Sequence, residues 1–407
     1  MTVVFSAVKR QFLVHGHSTR GVYKQPKAQC LPEEVLTHIL LDLTQRDLLN
    51  VIRVCRSWNW ASAQLLYHGL YLRSHKSMVL IARTFRSRPA LGDIVKILRV
   101  STPQKTATKL WPPNVLWSQK PFSMEGLLAE ILHHCTFLKD FTFFSLPNTR
   151  VSLNLDRRLL RSTSVGSHLH TLFVSTHDIS SNSFLVQGEG HSETMDFPFP
   201  NLDTLVLFRV CLGPHHRFPR IPRLRSLQIY SPRFAYTPWD DTDPELSILH
   251  DSFPMLQELK LVLIRVTIAS SGRLFNGLRI LDLEGPVRTE LLQEMSHTEF
   301  MDNIQSLSIG PQYSTIKGLS LPTLPKNIQS LEVRIILNPS VSTALEEFLI
   351  SFPSASKECG YLRQLTFSTL PAPDFVPDEA FTDVINKVQT YCKSQGITFA
   401  IHEIDTI

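Results

Sequence analysis

Glycine is scarce in this chain, at 16 of 407 residues, and it forms no phosphate-cradling loop. The only G-x-G is Gly188-Glu189-Gly190, which has no strand before it and no helix after it. Neither a dinucleotide-binding βαβ unit nor a P-loop is expected. There is no H-E-x-x-H and no G-x-S-x-G elbow. The tight histidine clusters, His133-His134 beside Cys135 and His215-His216, send neighbouring side chains in different directions and make no ready chelate. Asp240, Asp241 and Asp243 lack the glycine and closing glutamate of a calcium loop. No metal, no cofactor and no enzymatic activity are therefore expected. A cysteine nucleophile that meets a distant histidine only in the fold is the enzymatic alternative that spacing leaves open.

The six cysteines are Cys30, Cys55, Cys135, Cys211, Cys359 and Cys392, with no C-x-x-C among them. That spread argues against a small disulfide-stapled secreted domain and for free thiols in a reducing compartment. No Asn-x-Ser/Thr sequon and no apolar run of membrane-spanning length occur, so a cytoplasmic or nuclear chain without a membrane partner is expected. Acid is missing from residues 1–27, which hold Lys9, Arg10, Arg20, Lys24 and Lys27. The formal charge of +5 thus belongs to that segment, since the other 380 residues hold 36 bases against 36 acids. A nucleic-acid-binding body is excluded on that balance. Residues 1–28 read as a basic, flexible tail, with a presequence helix carrying Val3, Val4, Val8 and Phe12 on one face as the alternative.

Proline, at 26 residues, and apolar residues, at 43%, are plentiful, as in a large core with many element boundaries. Residues 29–70 carry the most specific signal. Leu31, Val35, Leu36, Ile39, Leu40 and Leu43 form a helical stripe, with Pro32 in the first turn and Glu33 and Glu34 at the positive helix end. Thr44 and Asp47 suit a capping box for a second helix that presents Leu48, Leu49, Ile52 and Val54. A third helix carries Trp58, Ala61, Leu65 and Leu66 on one side.

Leu31-Pro32, Ile39-Leu40, Leu43, Asp47-Leu48, Val54-Cys55-Arg56 and Trp58 together resemble an F-box. The resemblance implies docking on a Skp-type adaptor and, through it, on a cullin of an SCF-type ubiquitin ligase. Leu31, Pro32, Ile39, Leu40, Leu43 and Leu48 would face the adaptor, and Val54 and Trp58 would be shared between core and interface. An ordinary helical cap is the plainer reading of the same stripe.

After a linker helix at 71–93, residues 94–407 repeat one short phrase, apolar-x-x-apolar-x-apolar. It reads Leu169/Leu172/Val174, Leu202/Leu205/Leu207, Leu224/Leu227/Ile229, Leu256/Leu259/Leu261, Leu278/Leu281/Leu283, Ile304/Leu307/Ile309, Ile328/Leu331/Val333 and Leu362/Leu365/Phe367. Val95/Leu98/Val100 and Leu138/Phe141/Phe143 are earlier copies. Helical stretches fall between copies at Met124–His134, Glu245–His250, Thr289–Met295 and Ala344–Leu349, and proline separates helix from strand at Phe199-Pro200 and Phe253-Pro254. The cycle resembles a leucine-rich repeat. The whole chain thus resembles fungal-type F-box proteins with a degenerate repeat domain. The repeat Asn or Cys is missing, with Val210, Pro232, Ile264, Pro286 and Gln312 in its place. The fold class expected is α/β: a three-helix F-box followed by an irregular leucine-rich-repeat-like solenoid, an ordinary α/β sheet being the alternative.

Residues between the buried ones of each strand would point outward on one face. Phe173, Phe208, Tyr230, Lys260, Asp282, Glu284 and Arg334 are the candidates there for binding a protein substrate, with Gln228, Ser308, Glu332 and Thr366 on the same face. Loops at 101–123, 176–198 and 231–243 are further candidates. The function expected is substrate recognition for a ubiquitin ligase. A scaffold that binds the adaptor without degradation is the alternative.

Overall fold

The computed structural model describes residues 31–101, 124–144, 164–175, 186–187, 199–208, 216–217, 220–230, 252–262, 277–284, 302–310, 324–337, 341–370 and 379–403. The basic tail, most of the three candidate loops, the helical stretches at 245–250 and 289–295, and the five positions that replace the repeat Asn or Cys lie outside them. No helix among the described residues is long and apolar enough to cross a membrane. The chain divides into two compact units, Met1–Leu169 and His170–Ile407.

The first unit opens with helices α1 (Glu33–Leu40), α2 (Gln45–Val51) and α3 (Arg56–His68). Pro32 occupies the N-cap of α1 in an extended conformation, and Glu33 and Glu34 fill the first turn. The Thr44 side chain caps α2, accepting from the Asp47 backbone N–H at 3.3 Å and donating to the Asp47 carboxylate at 2.6 Å. This differs from the reciprocal capping box expected, because the carboxylate takes the hydroxyl proton. Leu36, Leu40, Leu48 and Ala61 form the core of the three helices, with Val51, Trp58, Leu65 and Leu66 packed against it. The Asn59 side chain donates to the Ile52 carbonyl at 2.9 Å and ties α3 to the end of α2.

Helix α3 runs without a spacer into strand β1 (Gly69–Leu72), followed by α4 (His75–Ser87), α5 (Ala90–Ile94), β2 (Ile97–Ser101), α6 (Met124–His134) and β3 (Asp140–Phe144). Where one linker helix was expected at 71–93, there are the end of a strand and two helices. The strand is β-structured because Leu70 and Leu72 alternate into the core and Gly69 pairs with Ile97 across a parallel ladder. Helix α4 starts at a capping box of Ser74 and Ser77, then buries Met78, Ile81, Ala82 and Phe85.

Gly92 in α5 packs so closely on the end of α6 that a Cβ there would lie 2.4 Å from the His134 carbonyl oxygen. Backbone cannot yield as a flexible side chain can, so Gly92→Ala is expected to cost about 1–3 kcal/mol of unfolding free energy, read from denaturant titration of the full chain.

In the second unit the strands of the long sheet are β4 (Thr171–Ser175), β5 (Thr204–Phe208), β6 (Ser226–Tyr230), β7 (Glu258–Val262), β8 (Ile280–Glu284), β9 (Ser306–Ile309), β10 (Ser330–Ile336), β11 (Gln364–Leu370) and β12 (Thr398–Glu403), and Val186–Gln187 and His216–Arg217 form a separate antiparallel pair. Strands β4 to β12 pair in parallel in the order of their numbering, in a solenoid-like α/β arrangement. Register makes the repeated phrase physical. Leu172, Leu205, Leu227, Leu259, Leu281, Leu307, Leu331 and Leu365 stand opposite one another in one column that faces the core.

In several copies the residue that opens the phrase closes a four-residue turn. Leu202, Leu224, Leu256 and Leu362 donate to the carbonyls of Phe199, Ile221, Phe253 and Cys359. Proline therefore does more than stop a helix: at Pro200, Pro222 and Pro254 it sits second in that turn, the position whose φ it presets.

Helix α7 (Val341–Glu358) extends well past the expected Ala344–Leu349 and passes through Pro353. Phe348 stacks on Phe352 at 4.9 Å between ring centres, and Phe352 meets Tyr391 of helix α8 (Glu379–Ser394) edge-on. Packing of those rings outweighs the one hydrogen bond that proline removes.

Candidate functional site

Two places in the molecule carry groups that the core does not use. The first is the outer side of the N-terminal helices. Leu36 and Leu40 face inward, while Val35 and Ile39, one position earlier in each case, face out, and Ile39 is 50% exposed. Leu31, four residues before Val35, and Leu43, four after Ile39, extend this row, and Leu41, Leu49, Val54 and Trp60 are exposed as well. Val54 is 63% exposed. An apolar row of this extent left in water is a surface of the kind that a protein, a ligand or a membrane covers.

This region is F-box-like. Residues 28–73 match the family model of that description. No curated protein matches the chain. The F-box-like match runs to residue 73 and takes in all of β1, which is paired into the first unit's sheet. F-box domains in general dock on Skp-type adaptors.

Of the residues assigned to adaptor docking, Leu31, Pro32, Ile39, Leu43 and Val54 are exposed. Trp58 is partly buried against the domain's own core. Leu40 and Leu48 lie inside that core, Leu40 with no exposure at all, so they do not face outward. The reason is angular: successive positions on a helix turn by about 100°, and at this step the turn carries the side chain from the exposed Ile39 into the core at Leu40. Val35, Leu41, Leu49 and Trp60 were missed, although Val35 sits in the same i, i+4 series as Leu31 and Ile39.

The second place is the face of the second unit's sheet opposite the leucine column. Register aligns Phe173, Val206, Gln228, Lys260, Asp282, Ser308, Glu332 and Thr366 in one row across it. Two residues further along the strands a second row runs through Phe208, Tyr230, Val262 and Glu284 and, after a step at β9, through Arg334 and Ser368.

Aromatic side chains occupy one end. Phe173 stacks on Phe208 at 6.4 Å, and Phe208 meets Tyr230 at 5.5 Å between ring centres. The Lys260 ammonium lies 5.8 Å from the Tyr230 ring centre and 2.8 Å from Asp282. Burial raises the Tyr230 hydroxyl pKa.

The charged part of the face converges on Arg334, whose side chain is 13% exposed. It donates to both oxygens of Asp282 at 3.0 Å, to Glu284 at 3.0 Å and to Glu332 at 3.2 Å. Arg334 stands on β10 and Asp282 and Glu284 on β8, so it reaches across β9. Small groups there permit it. Ser308 lies in the first row, and Gly310, just past β9, has room for no Cβ, which would come 2.9 Å from the Glu284 side chain.

Burial by itself would lower the Arg334 pKa, but the Asp282 and Glu332 carboxylates overcome it and raise the pKa further. Burial would likewise raise Glu332. The Ser368 hydroxyl at 2.6 Å, Arg334, and the Ser308 hydroxyl at 3.0 Å together hold it below its ordinary value instead.

A carboxyl with a depressed folded pKa adds stability above its unfolded pKa and loses it as pH falls through the folded value. Glu332 is therefore expected to support the second unit at neutral pH and to withdraw that support below the ordinary glutamate range. Melting curves of wild type and Glu332→Gln should converge as pH falls.

Of the seven residues assigned to substrate binding, the structure links Phe173, Phe208, Tyr230 and Lys260 by ring and cation contacts, and Lys260, Asp282, Glu284 and Arg334 by ion pairs. They form no single pocket. Phe173 and Arg334 stand six strands apart, roughly 29 Å at about 4.8 Å per strand. Sequence reasoning missed Ser368 and Gly310. Continuing the alternation of β11 by one step would have found Ser368, and Gly310 breaks a row of side chains.

No group of three or more His, Cys, Asp or Glu among the described residues could hold a metal. Burial pushes the Cys135 thiol up to about 12 and that of Cys392 up to about 11, so both are thiols, not thiolates, at neutral pH.

Proposed function

We propose that this chain is a substrate receptor of an SCF-type ubiquitin ligase. The F-box-like domain docks a Skp-type adaptor, which brings a cullin, and the repeat-like strands of the second unit hold a protein target. The observation that carries this reading is the apolar row Leu31, Val35, Ile39 and Leu43, exposed on a domain that matches the F-box-like family. On this reading the in-register leucine columns are degenerate leucine-rich-repeat-like coils, and their other face is the target surface.

The chain itself performs no bond chemistry in this role. It contributes to rate by holding a target near activated ubiquitin, an effective-concentration effect. The test is reconstitution. Full chain and purified Skp-type adaptor should co-elute, and proteins bound to the complex should gain ubiquitin when cullin, ubiquitin-activating and ubiquitin-conjugating enzymes are added. Failure to co-elute removes the docking role, and co-elution with no ubiquitin transfer to any bound protein removes the receptor role.

A further inference from the structure

The open sheet face of the second unit has a charge character that its residue list alone conceals. Six charged side chains among the described residues stand on it: Lys260 and Arg334 against Glu258, Asp282, Glu284 and Glu332, or two positive minus four negative, which is −2. Both cations are committed. Lys260 pairs with Asp282, and Arg334 uses four donor contacts on three carboxylates. A guanidinium with five N–H groups so engaged has none of its two-pronged faces left for a phosphate. Glu258, by contrast, has no ion-pair partner among the described residues, and Glu284 meets Arg334 through one oxygen.

A separate observation marks the same place. Ser226 is paired in register with Glu258, is 8% exposed, and its hydroxyl has no hydrogen-bond partner. A buried orphan hydroxyl costs about 1–3 kcal/mol, and a ligand donor or acceptor inserted beside it would relieve that cost.

Resting on the receptor reading above, we infer that this face takes an unphosphorylated, basic segment of the target, with one Lys or Arg at Glu258, another at Glu284, and apolar side chains toward the rings of Phe208 and Tyr230. Both ends of the row come within reach of about nine extended residues. Carboxylates give the segment its orientation, and the Tyr230 ring adds a cation–π surface. A phosphorylated segment meets net repulsion there and finds no free cation among the described residues of the face.

The test uses the full chain in complex with its adaptor, immobilised through the adaptor. Three pools of random nine-residue peptides are passed over it: one enriched in Lys, Arg, Leu and Phe, one in Asp and Glu, and one in phosphoserine. The basic pool should be retained about tenfold over the phosphoserine pool, with retention falling as salt rises. Glu258→Gln plus Glu284→Gln should remove that preference with the melting temperature of the complex held near wild type. Equal or greater retention of phosphoserine peptides, lost in Phe208→Ser, would overturn the chemistry and leave the face as the receptor surface. Retention of no pool would overturn both.

Discussion

Arg334→Leu is expected to destabilise the second unit by about 3–5 kcal/mol, the largest single effect open to any surface-facing residue of the sheet. The reason is what stays behind. Asp282 is a buried carboxylate with both oxygens on Arg334, Glu284 lies on the same strand two residues on, and Glu332 points at the same guanidinium. Remove the cation and three carboxylates share a half-buried space with Lys260 as their remaining partner. Arg334→Lys keeps the charge but loses the paired contact on Asp282, so it should fall between leucine and wild type. Lowering the pH toward the carboxylate range should narrow the gap between Arg334→Leu and wild type, because protonation relieves the repulsion. Denaturant titrations at two pH values measure all of this. An Arg334→Leu chain as stable as wild type at neutral pH would show that the carboxylates do not depend on that cation.

The other large effect belongs to two neighbours in α1. Ile39→Asp should leave the fold intact, within about 0.5 kcal/mol, and weaken adaptor binding by about a hundredfold, since truncating a central interface anchor costs 2 kcal/mol or more. Leu40→Asp should do the reverse in kind. It places an unpaired charge in the core formed with Leu36, Leu48 and Ala61, so the domain loses its helical signal and binding disappears with the fold. Circular dichroism separates the two outcomes, and titration with purified adaptor reads affinity for Ile39→Asp. If Ile39→Asp bound the adaptor as tightly as wild type, the exposed row would not be the docking surface.

This pair also shows where sequence reading ran out. The stripe Leu31, Leu36, Ile39, Leu40, Leu43 is legible as helical from spacing, but spacing does not say which of two adjacent rows meets the core. Both rows are apolar. Only the position of α2 and α3 turned Leu40 inward and left Ile39 in water. Helix α7 tells the same story. Local rules end it near Pro353, and the rings of Phe348, Phe352 and Tyr391 carry it on to Glu358.

By itself the sequence determined the period of the second unit and the membership of its two faces. Strand alternation is local, and a buried leucine every few tens of residues forces parallel strands into one register. It also determined the F-box-like start, because that pattern lies within forty consecutive residues. The tertiary structure alone decided what the open face is electrically. Arg334 and Asp282 are 52 residues apart in the chain and 3.0 Å apart in space, brought together over a strand whose Ser308 and Gly310 leave the way clear. Ion pairing depends on distances that no local pattern encodes, so a face that reads as mixed in sign along the chain has, once folded, both of its described cations, Lys260 and Arg334, held by carboxylates.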